Sequence, residues 1–167
     1  GMIQRELAID SLLSDVNRIY VDRVRNSKIS SCIKNLKKHI EFKYNALDSF
    51  KNKCIKVYHC LDKIAFYKLC KKAKYIYCHS LYMLDKLPEE YIKEFKNKSI
   101  IDIHGCAVEE VEFNGCDSSI VSNFQKLEQF AFNNVKALVA VSGSMIDFYK
   151  SKYPGIGTHF IKLPIFS

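Results

Sequence analysis

The residues Ser99, Ile100, Ile101, Asp102, Ile103, His104 and Gly105 decide how this chain is read. Residues 99–103 are mostly β-branched, have the length of a buried strand, and stop at a histidine and a glycine. A second such run, residues 137–141, closes on Ser142, Gly143 and Ser144, and a third, residues 75–79, leads into Ser80. Stretches of helical period separate them. Pro88 with Glu89 and Glu90 makes a good helix start, because proline suits the first turn and carboxylates complement the dipole. Asp117, Ser118 and Ser119 open a second helix through Leu127, Phe130, Ala131 and Phe132. Residues 145–153 form a third, stopped by Pro154 and Gly155, and residues 159–165 read as a last strand.

The same alternation extends upstream. Leu7, Ile9, Leu12, Leu13 and Val16 fall at helical spacing, and Ile19, Val21 and Val24 suggest an edge-side strand over residues 18–24. Ile40, Phe42 and Tyr44 alternate, after which residues 45–49 open a long helical segment with Ile55, Tyr58, Leu61, Ala65 and Leu69 on one face. Helix and strand alternating throughout predict an α/β chain with a mainly parallel sheet and helices on both faces. In such folds ligands bind beyond the carboxyl ends of the strands.

Composition supports a folded protein: 48% hydrophobic and 26% charged residues lie near the globular average and exclude a disordered chain. At 167 residues the chain has the size of one domain, expected over residues 2–167, with Gly1 before Met2 reading as a tag remnant. No apolar run approaches the ~20 residues of a membrane span, and the N-terminus lacks a secretory signal. Seven cysteines without a CxxC pair indicate reduced thiols and a cytoplasmic setting. The 26 Lys and Arg outnumber 18 Asp and Glu, with Lys34, Lys37, Lys38, Lys68, Lys71, Lys72 and Lys74 in the first hundred residues. A basic face attracts nucleic acid, anionic lipid or phosphorylated ligands through the same field, and charge alone does not choose among them. No nucleic-acid-binding motif is present, and a solvated lysine surface is the plainer reading.

The polar groups past the strand ends are the candidate site. His104 has the chemistry to hydrogen-bond a sugar hydroxyl or phosphate, and Gly105 lets backbone approach a ligand; equally, a histidine at that position caps the strand. His79 and Ser80 carry the same two readings. Ser142, Gly143 and Ser144 offer hydroxyls and backbone N–H groups at a strand-to-helix turn, or a simple helix N-cap. Glu109 and Glu110 bind ligand hydroxyls or form a solvated acidic patch with Glu112. The tyrosines between Tyr58 and Tyr82 suit a core better than base stacking. Cys78 beside His79 and Cys106 near His104 lack the spacing of a zinc site, and no metal or other cofactor is expected. GxxxxGK[ST], GxGxxG and GxSxG are all absent from the sequence.

Five pieces in register carry a resemblance: Ile76 to Ser80; Ile101 to Gly105 with Glu109 and Glu110; Lys126, Leu127, Glu128; Val139 to Met145; and Ile161 to Phe166. From about Tyr75 onward the chain resembles the N-terminal, acceptor-side domain of GT-B glycosyltransferases related to family 4. The resemblance implies a three-layer Rossmann-like domain and retaining, metal-independent transfer from a nucleotide sugar to a glycan or lipid-linked acceptor. It implies that His104 faces the transferred sugar as the catalytic group. His79, Ser80, Gly105, Glu109, Glu110, Ser142, Gly143 and Ser144 would then line the substrate cleft. The donor, and the groups that hold its diphosphate, would belong to a C-terminal domain absent here, leaving this half inactive alone. An anionic membrane surface at the inner face is a further expected partner, and nucleic acid is not. Two features depart from the family. Val108 stands where proline is common before the glutamate pair, and the family's first strand and Gly-rich loop have no counterpart ahead of the first helix. The rival reading is a non-catalytic α/β module that binds carbohydrate or protein.

Overall fold

The computed structural model describes residues 9, 16–21, 24–25, 55–58, 61–85 and 87–164. The chain divides into two compact units, residues 1–66 with 165–167, and Tyr67–Pro164. In the first unit, β1 (Arg18–Val21) pairs in parallel with β3 (Ile55–Tyr58), and β2 (Val24–Arg25) pairs in parallel with β4 (Leu61–Asp62). The helix expected to run from residues 45–49 through Leu69 is therefore corrected: 55–58 is strand, and helix α1 begins only at Lys63, ending at Lys72. Alternating Ile55 and Val57 suit a strand as well as a helix face, and pairing with β1 settles the ambiguity. Asp62 starts α1: its Oδ1 accepts from the backbone N–H groups of Ile64 and Ala65, each at 2.9 Å. The helix expected over residues 4–16 and the strand over residues 40–44 lie outside the described residues, apart from Ile9, which is helical.

The second unit carries a four-stranded parallel sheet of β5 (Ile76–Cys78), β6 (Ser99–Ile103), β7 (Ala137–Ala140) and β8 (His159–Lys162), ordered β5-β6-β7-β8. Helices α2 (Glu89–Glu94), α3 (Ala107–Phe113), α4 (Ser118–Asn134) and α5 (Gly143–Lys152) connect the strands. The chain thus has the α/β class expected, a Rossmann-like parallel sheet flanked by helices. All four residues of β7 are buried, as are Ser99, Ile101, Asp102 and Ile103 of β6. Successive strand residues point to opposite faces, so the sheet centre is covered on both.

Register sorts the side chains. Cys78, Ile101 and Leu138 align on one face and join Leu81, Leu84, Ile92, Ala131, Phe132 and Tyr149 in one core cluster. Tyr77, Ile100, Asp102 and Val139 belong to the other face. Helix α4 contributes Ala131 and Phe132 to the core at adjacent positions and ends at Val135, which is extended (φ −109°, ψ 160°). Asp117 precedes α4 without a side-chain capping bond, whereas Ser142 caps α5 by accepting from the Met145 N–H at 3.1 Å. Gly155, at φ +94°, makes the left-handed turn that ends the α5 region after Pro154.

Candidate functional site

Because β5, β6 and β7 are parallel, His79, His104 and Ser142 all follow the carboxyl ends of their strands, on one edge of the sheet. The β5 and β6 ends meet most closely. The imidazoles of His79 and His104 have ring centroids 6.3 Å apart, and Tyr77 lies edge-on to His79 at 5.0 Å. Between them sits Asp102, fully buried; its Oδ2 lies 3.4 Å from His104 Nε2 and accepts the Tyr77 hydroxyl at 2.7 Å. A buried carboxylate is tolerated only with partners, and here the Tyr77 phenol supplies a hydrogen bond while the His104 imidazole stands at ion-pair distance, without a hydrogen bond from Nε2 to the carboxylate. Asp102 therefore orients His104 at the rim when the ring carries a proton.

The ligating atoms of His79, Asp102 and His104 lie within 4.8 Å of one another. Two imidazoles and a carboxylate form a donor set that divalent transition metals accept. Bonds of about 2.0–2.1 Å bring tetrahedral ligands to separations of about 3.4 Å. Any pair near the wider limit must draw inward before an ion is held.

A second network lies under the His104 to Cys106 turn. Glu128 of α4, fully buried, accepts from Lys152 Nζ at 2.7 Å, the Tyr153 hydroxyl at 2.7 Å and the Tyr149 hydroxyl at 3.4 Å. Lys152 also reaches Glu109 Oε1 at 2.6 Å, and the Tyr149 hydroxyl lies 3.5 Å from the Gly105 carbonyl oxygen. Burial opposes the Lys152 charge, but its hydrogen bonds to Glu109 and Glu128 outweigh this and raise its pKa. Burial, reinforced by Glu128, pushes the Tyr149 and Tyr153 phenols above their ordinary range, so both stay protonated donors. Glu109 is thereby drawn into an ion pair with α5.

Glu110 lies differently. It is exposed, its Oε2 accepts from the Tyr82 hydroxyl at 3.2 Å, and its Oε1 occupies the place where a Cβ on Gly105 would stand. Ser80 accepts from the Tyr82 N–H at 3.2 Å and caps the single turn Leu81–Met83 that presents Tyr82. Ser142 is engaged as a helix cap, with Gly143 and Ser144 in the first turn of α5.

The structure thus brings together His79 and His104, and sets Gly105 against Glu110. Sequence reasoning passed over Asp102, Tyr77 and Tyr82 as site residues. The signal for Asp102 was a carboxylate inside an isoleucine run, which needs buried partners; Tyr77 and Tyr82 carried none, since buried and rim tyrosines look alike in sequence. No protein-family model matches the chain, and neither a curated protein nor a solved structure matches it.

Proposed function

We propose that the chain contributes the acceptor-side half of a retaining, metal-independent glycosyl transfer from a nucleotide sugar to a glycan or lipid-linked acceptor. The observation that carries the reading is His104, held 3.4 Å from a buried carboxylate at the carboxyl end of a central parallel strand. An imidazole ordered in this way presents a fixed polar group to a sugar hydroxyl, and preorganised polar groups contribute most where charge develops. His79 lies beside it, and Glu110 adds a carboxylate packed against Gly105. The nucleotide diphosphate is held by a separate donor-binding domain. The four described cysteines are free thiols, and no described helix is long and apolar enough to cross a membrane. A cytoplasmic protein working at the inner membrane face accords with both.

The test is transfer from a panel of nucleotide sugars, using this chain together with a separately supplied donor-binding domain. His104→Ala is expected to lower turnover by two to three orders of magnitude, the effect of losing ~2.7–4 kcal/mol of preorganised stabilisation. Full turnover in that variant refutes the role. A carbohydrate-binding module without transfer is the second reading, favoured by the exposed Tyr82 and Glu110 beside the same turn. It predicts sugar binding with no turnover from any donor.

A further inference from the structure

The rim beside His104 carries information on which sugars it accepts. Glu110 packs so closely on Gly105 that no larger residue leaves room for the carboxylate. Its hydrogen-bond donor is the Tyr82 hydroxyl, and among the described residues no cation pairs with it. Burial, then the nearby Glu110 charge, raises the Tyr82 pKa, so the phenol remains a donor to the carboxylate. Tyr82 as a residue is 40% exposed, and its ring is braced edge-on by Phe124, with centroids 5.2 Å apart. The neighbouring network adds to the sign of the field: one lysine, Lys152, serves two carboxylates, Glu109 and Glu128. Among these described residues, the three carboxylates Glu109, Glu110 and Glu128 thus face one cation, Lys152.

We infer that Tyr82, Glu110 and the Gly105 turn form a subsite for a neutral or amino-bearing sugar residue, one that discriminates against uronates and sugar phosphates. The inference rests on the carbohydrate-directed reading above and supplies its substrate class. An aromatic face receives the apolar C–H side of a pyranose, while a carboxylate accepts from neighbouring hydroxyls in charge-assisted hydrogen bonds. An ammonium substituent gains from the same carboxylate. A second anion placed beside it is repelled. The lysine content of the whole chain would attract anionic lipid or phosphorylated ligands without choosing among them. Net charge describes the whole surface, whereas selection is made by the groups at the subsite.

Binding of four probes, methyl β-D-glucopyranoside, D-glucosamine, D-glucuronate and D-glucose 6-phosphate, is measured by amide chemical-shift titration of the chain at low salt. The neutral and amino sugars are expected to shift Tyr82, Gly105 and Glu110. The two anions should bind at least about fivefold more weakly, the factor for like charges about 4 Å apart in water. Glu110→Gln, an exposed substitution, should erase that discrimination, and Tyr82→Ala should abolish binding while Tyr82→Phe retains it. Should Tyr82→Ala not fold, the Glu110→Gln titration alone decides. Equal binding of anionic and neutral sugars, or unchanged discrimination in Glu110→Gln, overturns the subsite. Absence of binding by every probe also overturns it, without bearing on transfer, which the His104 assay judges separately. Discrimination that persists in a protein without turnover retains the subsite and removes the transferase.

Discussion

Replacing Glu128 by glutamine keeps the volume of a fully buried side chain and removes its charge. Three donors converge on that carboxylate: Lys152 at 2.7 Å, Tyr153 at 2.7 Å and Tyr149 at 3.4 Å. Glutamine presents only one acceptor oxygen; turned toward Lys152 and Tyr153, which share Oε1, it leaves an amide donor against the Tyr149 hydroxyl and offers Lys152 no charge. Removing one member of a buried pair costs about 3–5 kcal/mol where the other is left alone. Here Lys152 retains Glu109 at 2.6 Å and is 20% exposed, which lowers the expected cost to ~2–3 kcal/mol. For a chain of this length that lowers the melting temperature by roughly 5–10 °C. Denaturant unfolding followed by circular dichroism measures it, with Lys152→Met and the double variant closing a thermodynamic cycle. The double variant should be less destabilised than the sum of the singles, because the residues share one interaction. A loss under about 0.5 kcal/mol for Glu128→Gln, the range of an ordinary surface change, would refute the reasoning.

Other perturbations have equally defined outcomes. Ser142→Ala removes the cap on α5 and should cost about 1 kcal/mol by the same unfolding assay, with Ser142→Gly costing less. Burial pushes the Cys78 thiol from 9.0 up to about 12, so the native protein cannot ionise it where the unfolded chain can. That contribution to stability is complete below pH ~9 and is lost as pH rises toward the folded value, at up to ~1.4 kcal/mol per unit. A loss of stability between those values no greater in the native protein than in Cys78→Ala would contradict it. A thiol reagent at neutral pH should label exposed Cys116 rapidly and leave buried Cys70 and Cys78 unmodified until unfolding, as mass spectrometry reads directly. Gly105→Ala displaces the Glu110 carboxylate, a flexible end able to swing away, so it should cost under ~1 kcal/mol in stability. Its Tyr82 to Glu110 hydrogen bond should be lost, which a crystal structure would show.

How far the residues themselves reveal this arrangement varies along the chain. Residues 99–103 and 137–140 are read correctly because β-branched or small apolar runs bounded by polar turns have one good solution in a parallel sheet. The α4 helix is read nearly to its ends for the same reason, a long period with turn chemistry on both sides. Residues 55–58 are misread, since Ile55 and Tyr58 satisfy a helical spacing while Ile55 and Val57 satisfy a strand, and only the β1 partner decides. At the rim, His79 and His104 are legible because polar residues after strands gather on one edge. What they touch is not. Asp102 reaches His104 through alternation, with both on the same side of β6, but Tyr77 arrives from another strand by register. Lys152 and Glu128 meet across 24 residues, a pairing that no local pattern encodes.

Asp102 also determines how β6 can pair at all. Ile100, Ile101 and Ile103 are interchangeable between the two sides of the sheet, so an isoleucine-rich strand without a marker has little to stop it from slipping by one position. A slip would turn Asp102 away from Tyr77 and His104 and into the space now occupied by Ile101 and Ile103, against Leu138 and Phe132. An unpartnered carboxylate there costs several kcal/mol, more than a misaligned strand recovers. The group that orients the rim histidine thus also rejects the out-of-register sheet, and conservative-looking replacement by leucine or valine should yield a chain that assembles into more than one alignment.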